Sequence, residues 1–365
     1  MRERMDMIKS VKDYVQMPLL YNHWYVAGTV DEFGREPIAR TILEHSVVFY
    51  RTEDGELTAL QNRCLHRSFP LSESSLQGDE LVCRYHGARY SADGKLLRMP
   101  CQAITPKRSL KKYPIQEIGV FALIWMGESE PDPSRLPDLA HLECNNFRTI
   151  HGDFEVKSSY LLMQENLNDL SHFAYLHNES FGVEEVFLEN PMEITRVGQR
   201  VACQRTETNK EVILRSLMPP GIAEHLRASG ETLTRYDEGI TLSPGVFRSH
   251  GWTLKDGETD ITDETPQYYI MHYLTPVTKT SCRYLFSVSF NHANSEDRFL
   301  DELPVFLNRG FSEDVWACEH MQELLTADKR DFKEMNVASD KAGLLSRQVM
   351  LEWAEEEYGD ALTAT

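Results

Sequence analysis

The stretch from Cys64 to His86 constrains this chain more than any other. It holds two Cys-His pairs, Cys64-x-His66 and Cys83-x-x-His86, separated by sixteen residues. Two thiolates and two imidazoles can bind Zn²⁺, or a [2Fe–2S] cluster in which two histidines replace two cysteines on one iron. Structural zinc modules open with a Cys pair and close with a His pair. Here each knuckle mixes one cysteine with one histidine, so each loop can give a thiolate to one iron and an imidazole to the other. The pattern points to the cluster, with a zinc-stabilised binding protein as the alternative.

At 365 residues the chain has room for two or three domains of roughly 100–200 residues each. The N-terminus lacks the apolar core of a signal peptide, and the longest apolar run, Val120 to Met126, is far too short to span a bilayer. Seven cysteines with no paired framework suit a reducing cytoplasm, the expected location. A net charge of −19 argues against nucleic acid as a partner, because phosphate neutralisation needs a basic surface. The charge is uneven, however. Between Arg63 and Lys112 ten Lys/Arg face only four acids, which reads either as solvated surface or as a docking patch for an acidic electron donor.

Residues 1–20 read as a polar, helix-like arm. From Trp24 to Met126 short apolar or alternating runs separated by turns such as Glu53-Asp54-Gly55-Glu56 predict a small all-β domain. It closes near the Pro-rich linker Pro131 to Pro137, giving expected domains of 1–130 and 131–365. Beyond the linker come a strand-like stretch, a long helical segment from about Leu161 to His177, more short strands over 190–295, and helix formers from Leu303. The expected fold is α+β: an all-β cluster domain followed by a larger domain in which an antiparallel sheet is flanked by helices.

The helical segment carries Asn166-Leu-Asn-Asp169-Leu-Ser-His172 and, five residues on, His177. Two imidazoles and one carboxylate are the donor set of a mononuclear non-haem Fe(II) site with open positions for O₂. Five residues are about 140° around a regular helix, at roughly 100° each. The pair therefore needs a π-bulge or a helix end between them in order to converge. Asp169 can support an imidazole from the same face. Spacing leaves the third ligand open among Asp169, Glu313, Asp314 and Glu319.

With both motifs in this order, the sequence resembles the Rieske non-haem iron aromatic-ring oxygenases, in particular the demethylase-type subgroup of dicamba and vanillate O-demethylases. The similarity runs through Asn22 to Ala27, Arg40 to Leu43, both knuckles, Asn166 to His177, Leu274-Thr-Pro276, the Glu313-Asp314 pair and Ser339-Asp340. It implies that Cys64, His66, Cys83 and His86 hold the cluster and that His172, His177 and Asp314 hold the iron. It also implies that Asp169 bridges to the cluster of a neighbouring subunit in a head-to-tail homotrimer, and Asn166, in the same motif, is expected beside it among the catalytic residues. His272 falls where the dicamba-type enzyme places a substrate-contacting histidine. His250, Tyr268, Asn291, His292, Phe306 and Phe311 are pocket candidates by position. Three departures stand out: Leu65 where the family usually has Pro, Ser68-Phe69 in place of a smaller pair, and Val305 where some relatives have an aromatic residue.

The implied protein is the oxygenase component of a multicomponent monooxygenase. It would take electrons from NAD(P)H through a flavin reductase, a ferredoxin or both, and use O₂ to hydroxylate and so O- or N-dealkylate a small aromatic compound. The alternative chemistry with the same metals is ring or benzylic hydroxylation, or cis-dihydroxylation.

Overall fold

The computed structural model describes residues 10–359 except 101, 104–107, 178–179, 181–191, 211–212, 214–223, 225–226, 292–296 and 331. His292 thus lies outside the described residues. The chain forms two compact units: one of Tyr21–Leu136 with Thr275–Thr278, the other of the described residues up to Leu20, Pro137–Leu274 and those from Lys279 onward. The N-terminal arm thus groups with the second unit rather than with the cluster domain of the expected 1–130 division. Within that unit Lys12 Nζ donates to the Asp328 carbonyl at 3.0 Å, and Tyr358 Oη donates to the Leu19 carbonyl. A short helix, α1 (Val11–Val15), buries Tyr14 and Val15 and is capped by Ser10, whose Oγ accepts from Asp13 N–H.

The first unit is built from three small antiparallel sheets. In the first, β1 (Trp24–Thr29) and β10 (Phe121–Trp125) are buried along their whole length, as their largely apolar sequences require, and β9 (Ile115–Ile118) pairs beside β10. The second holds β2 (Ile38–Ile42), β3 (His45–Arg51) and β4 (Leu57–Gln61). The Asp54-Gly55 turn joins the last two, with Gly55 at φ +86°. The third sheet is β5 (Ser75–Gln77), β6 (Glu80–Val82), β7 (Arg89–Tyr90) and β8 (Leu96–Arg98), and the two Cys-His loops flank its strands. Beneath the loops Val48, Tyr50, Leu60, Leu71, Leu81, Tyr90 and Leu110 pack with Cys64 and Cys83 in one apolar cluster.

The second unit is a seven-stranded antiparallel sheet in the order β11–β17–β16–β15–β14–β13–β12. Its strands are β11 (Arg148–Val156), β12 (Glu193–Val197), β13 (Arg200–Glu207), β14 (Leu233–Ser243), β15 (Val246–Lys255), β16 (Gln267–Thr278) and β17 (Ser281–Phe290). Helices α2 (Tyr160–Asn168), α3 (Phe173–Leu176), α4 (Asp297–Ala327) and α5 (Lys341–Tyr358) accompany it. The expected α+β architecture, an all-β unit followed by an antiparallel sheet with flanking helices, is the one observed. Along α4 the buried residues Leu303, Leu307, Phe311, Asp314, Val315, Cys318 and Gln322 recur at helical spacing and form one stripe. Asp314 is its single charged member. No described helix is long and apolar enough to cross a membrane.

Candidate metal centres

The two Cys-His loops fold alike. In the first, Cys64 N–H donates to Phe69 O and Ser68 N–H to Cys64 O; in the second, Cys83 N–H donates to Ala88 O and Gly87 N–H to Cys83 O. Each turn closes through a residue in the left-handed region, Ser68 at φ +57° and Gly87 at φ +71°. The turns bury both sulfurs and leave both imidazoles exposed, with His66 Nδ1 and His86 Nδ1 3.2 Å apart. Burial pushes the Cys83 thiol up, while the N–H groups of Tyr85 and His86 act in the opposite sense. Buried sulfurs on the inner side and facing imidazole nitrogens on the outer side suit a cluster with one Cys-ligated and one His-ligated iron. Phe69 and Tyr85 shield the site, with ring centroids 5.8 Å apart, and Tyr85 lies against His86 at 3.8 Å.

In the second unit the long helix expected over Leu161–His177 is broken. The helix α2 runs from its Ser159 cap to Asn168, and Asp169 is extended at φ −114°, ψ 107°. The Asp169 carboxylate accepts from Ser171 N–H at 2.8 Å, so the side chain competes with the helical backbone. A single turn, α3, follows, with His172 at its start and His177 just past its end. The helix end between the histidines is therefore present at Leu176, and no described residue is in a π-bulge. Asn168 pins the break to the sheet: its Nδ2 donates to Gln164 O at 2.7 Å, and Thr241 Oγ1 donates to its Oδ1 at 3.2 Å.

This break brings His172 and His177 to Asp314. Their ligating atoms all lie within 4.8 Å of one another. Asp314 Oδ1 is 3.3 Å from His172 Nε2 and 3.1 Å from His177 Nε2, and accepts from Asn166 Nδ2 at 2.8 Å. Burial would raise the Asp314 carboxyl, but the two imidazoles override it and hold the group below the usual carboxylate range. Burial likewise disfavours a charged His177, and the carboxylates of Asp314 and Glu313 reverse the sign. His172 Nε2 is buried without a hydrogen bond of good geometry. Two imidazoles and a buried carboxylate converging on one point fit a divalent cation with open coordination positions.

The other carboxylates left open by spacing are engaged elsewhere. Glu319 accepts from Lys157 N–H, Asp169 from Ser171 N–H, and Glu313 from His177 Nδ1 at 2.8 Å. Of the pocket candidates, His272 and Phe311 reach this region: their rings are 5.4 Å apart, and burial lowers His272 to about 4 with Asp314 acting in the other direction. His250 is a correction. It pairs with Tyr269 while His272 pairs with Phe247, so strand alternation puts His250 on the opposite face of the sheet. There it stacks on Tyr269 at 4.1 Å. Asn291 spends its side chain on Gln267 N–H and the carbonyls of Asp263 and Thr265, and Phe306 is 37% exposed on α4. Tyr268 shares the face of His272, but its hydroxyl is held by Arg235 and Asp237. Val305 is also exposed, so the missing aromatic residue leaves no gap against the sheet.

Sequence reasoning passed over Tyr284, whose hydroxyl lies 2.6 Å from His272 Nδ1, and Ser180, which donates to Glu313. Only tertiary contact reveals either. The buried stripe of α4, interrupted by one aspartate, singles out Asp314 only once the helix is seen against the sheet.

A two-histidine, one-carboxylate centre on an antiparallel sheet-and-helix unit, in a chain whose other unit presents paired Cys-His loops, defines the class of Rieske-type non-haem iron oxygenases. Residues 156–356 match the vanillate O-demethylase oxygenase C-terminal domain and residues 23–114 the Rieske [2Fe-2S] domain, and the chain belongs to that oxygenase family. It is 28% identical to the vanillate O-demethylase oxygenase subunit of Pseudomonas sp. (strain HR199 / DSM 7063), over 93% of this chain and 97% of that one. It is also 28% identical to a putative toluene-4-sulfonate monooxygenase iron-sulfur subunit of Comamonas testosteroni, over 84% and 89%. Its fold is that of dicamba monooxygenase bound to 3,6-dichlorosalicylic acid, with a TM-score of 0.81, 23% identity, and coverage of 94% and 99%. The protein is thus an iron-dependent monooxygenase, the oxygenase component of a multicomponent system, with a [2Fe–2S] cluster and Fe(II) as cofactors and O₂ as co-substrate.

Proposed function

We propose that this oxygenase hydroxylates, and thereby O- or N-dealkylates, a small aromatic compound. The observation that carries the reading is the convergence of His172, His177 and Asp314 beside the aromatic His272–Tyr284–Phe311 group, a chemistry suited to an arene substrate. Cys64, His66, Cys83 and His86 hold the cluster; His172, His177 and Asp314 hold the iron. When bound, these groups deliver electrons one at a time and activate O₂ for insertion into a C–H bond. Hydroxylation of an O- or N-methyl group releases formaldehyde and the dealkylated arene.

The chain's own residues do the positioning. Asn166 donates to Asp314 and keeps its carboxylate aimed between the imidazoles. Burial keeps His272 neutral near pH 7, so it serves as a hydrogen-bonding contact for the substrate rather than as a cation. Asp169, partly exposed at the break before α3, bridges to the cluster of a neighbouring subunit in a head-to-tail homotrimer. Electrons arrive from NAD(P)H by way of a flavin reductase, a ferredoxin or both. The donor docks where Arg63, Arg67 and Arg84 are exposed around His66 and His86. A cytoplasmic location fits six cysteines that are all free among the described residues.

Asp314→Ala tests the centre: turnover should be abolished while the visible and reduced EPR spectra of the cluster persist. Normal activity in that variant would remove Asp314 from the ligand set. The reaction type is read by screening methoxy- and N-alkyl-arenes for substrate-stimulated O₂ uptake with formaldehyde analysis. The toluene-4-sulfonate relative favours a second reading, benzylic hydroxylation, in which uptake proceeds without formaldehyde.

A further inference from the structure

Glu313 directly precedes Asp314 on α4, yet its carboxylate serves a different atom of the same centre. Its Oε2 accepts from His177 Nδ1 at 2.8 Å and from Ser180 Oγ at 2.5 Å. An ionised carboxylate can only accept, so the proton of the first bond resides on Nδ1. In the neutral ring the lone pair then belongs to Nε2, the nitrogen 3.1 Å from Asp314 Oδ1 and within the group of atoms able to share a cation.

Packing does not make this choice. The fully buried His177 ring meets His172 edge-on at 5.1 Å and Phe173 at 5.0 Å. Such contacts set the plane of an imidazole but are indifferent to which nitrogen carries the proton. A polar partner on one nitrogen decides it. Ser180 in turn fixes the oxygen that accepts from His177, and Ser180 N–H donates back to the His177 carbonyl at 3.1 Å, closing a small ring of bonds.

We propose that Glu313, held by Ser180, is a positioning residue of the iron centre: it locks His177 in the tautomer that ligates through Nε2 and strengthens that nitrogen as a donor to a divalent cation. The inference rests on the reading that His172, His177 and Asp314 hold the iron. Carboxylates placed behind ligating histidines typically change metal affinity by about 10–100-fold. A purely structural ion contact would instead change the stability of the protein equally whether or not metal is bound.

The test uses full-length, cluster-loaded protein freed of mononuclear iron and titrated anaerobically with Co²⁺, then Fe²⁺, against a competing chelator. Wild type should show one saturable site that is lost in His177→Ala. Glu313→Gln and Glu313→Ala should weaken it by about 10–100-fold with the cluster spectrum unchanged, and Ser180→Ala by less. The metal-free Glu313 variants lose a bond to a buried imidazole and should melt below wild type, and their metal-induced rise in midpoint should shrink in addition. Wild-type affinity in both Glu313 variants, or a loss of stability equal with and without metal, would overturn the proposal. A wild-type protein with no saturable site, or one indifferent to His177→Ala, would instead overturn the ligand assignment beneath it.

Discussion

Tyr90 is fully buried beneath the Cys-His loops, and its hydroxyl has two neighbours: Cys64 Sγ at 3.2 Å and the Leu65 N–H at 3.1 Å. Because Leu65 N–H occupies a lone pair of the oxygen, the phenolic proton is left for the sulfur. The proline usual at position 65 in the family has no N–H to give. Hydrogen bonds to cluster sulfurs favour the reduced, more negative state. Tyr90→Phe should therefore lower the cluster midpoint potential by tens of millivolts, at ~59 mV per tenfold change for a one-electron couple. Leu65→Pro should shift it the same way and add nothing to Tyr90→Phe; an unchanged potential in an EPR-monitored titration of Tyr90→Phe would refute this. At this scale the two Cys-His pairs were legible because their spacing is local, and the fold brings the His66 and His86 rings together, Nδ1 to Nδ1, at 3.2 Å. The His250 candidate failed because a histidine in a strand does not reveal which face it takes until the strand register is known.

At the scale of elements, the break between α2 and α3 decides whether His172 and His177 meet Asp314. The run Asn166-Leu-Asn-Asp-Leu-Ser is rich in side chains that compete with helical backbone, so an interruption was foreseeable. Its position was not: it depends on Asn168 bonding both to Gln164 O and to Thr241 on the sheet. Asn168→Ala removes both bonds at a site only 3% exposed. It should destabilise the protein by about 1–3 kcal/mol and lower the iron content of the purified enzyme while leaving cluster content intact. Full iron occupancy in that variant would show that the break forms without its tether. The helix α4 illustrates the opposite case. Its stripe of buried residues at helical spacing singles out Asp314 from Glu313 and Glu319 on periodicity, once the helix is known to lie against the sheet.

For the molecule as a whole, buried histidines govern the response to acid. Burial pushes His23 down to about 3, with the Arg135 guanidinium acting in the same sense, and His141 down to about 4. Below the ordinary histidine value near 6.5 the unfolded chain takes up protons that these folded sites refuse. Stability is therefore complete above that value and is lost as pH falls toward 4. Each histidine costs at most about 1.4 kcal/mol per pH unit across that window. The thermal midpoint should be level from pH 8 to 7 and drop steadily from 6.5 to 5, and a flat profile through pH 5 would contradict the assignment.

By itself the sequence determined both metal motifs, the order of the two domains and their all-β and α+β characters, because these rest on short-range spacing and on strand and helix periodicity. The tertiary structure decided which carboxylate joins His172 and His177, which face of the sheet carries His272, where the helix breaks, and that the N-terminal arm belongs with the second unit. Each of these depends on residues far apart in the chain: Asp314 meets His177 across a separation of 137 positions. Spacing along a chain says nothing about which distant carboxylate the packing of a helix on a sheet will bring within reach.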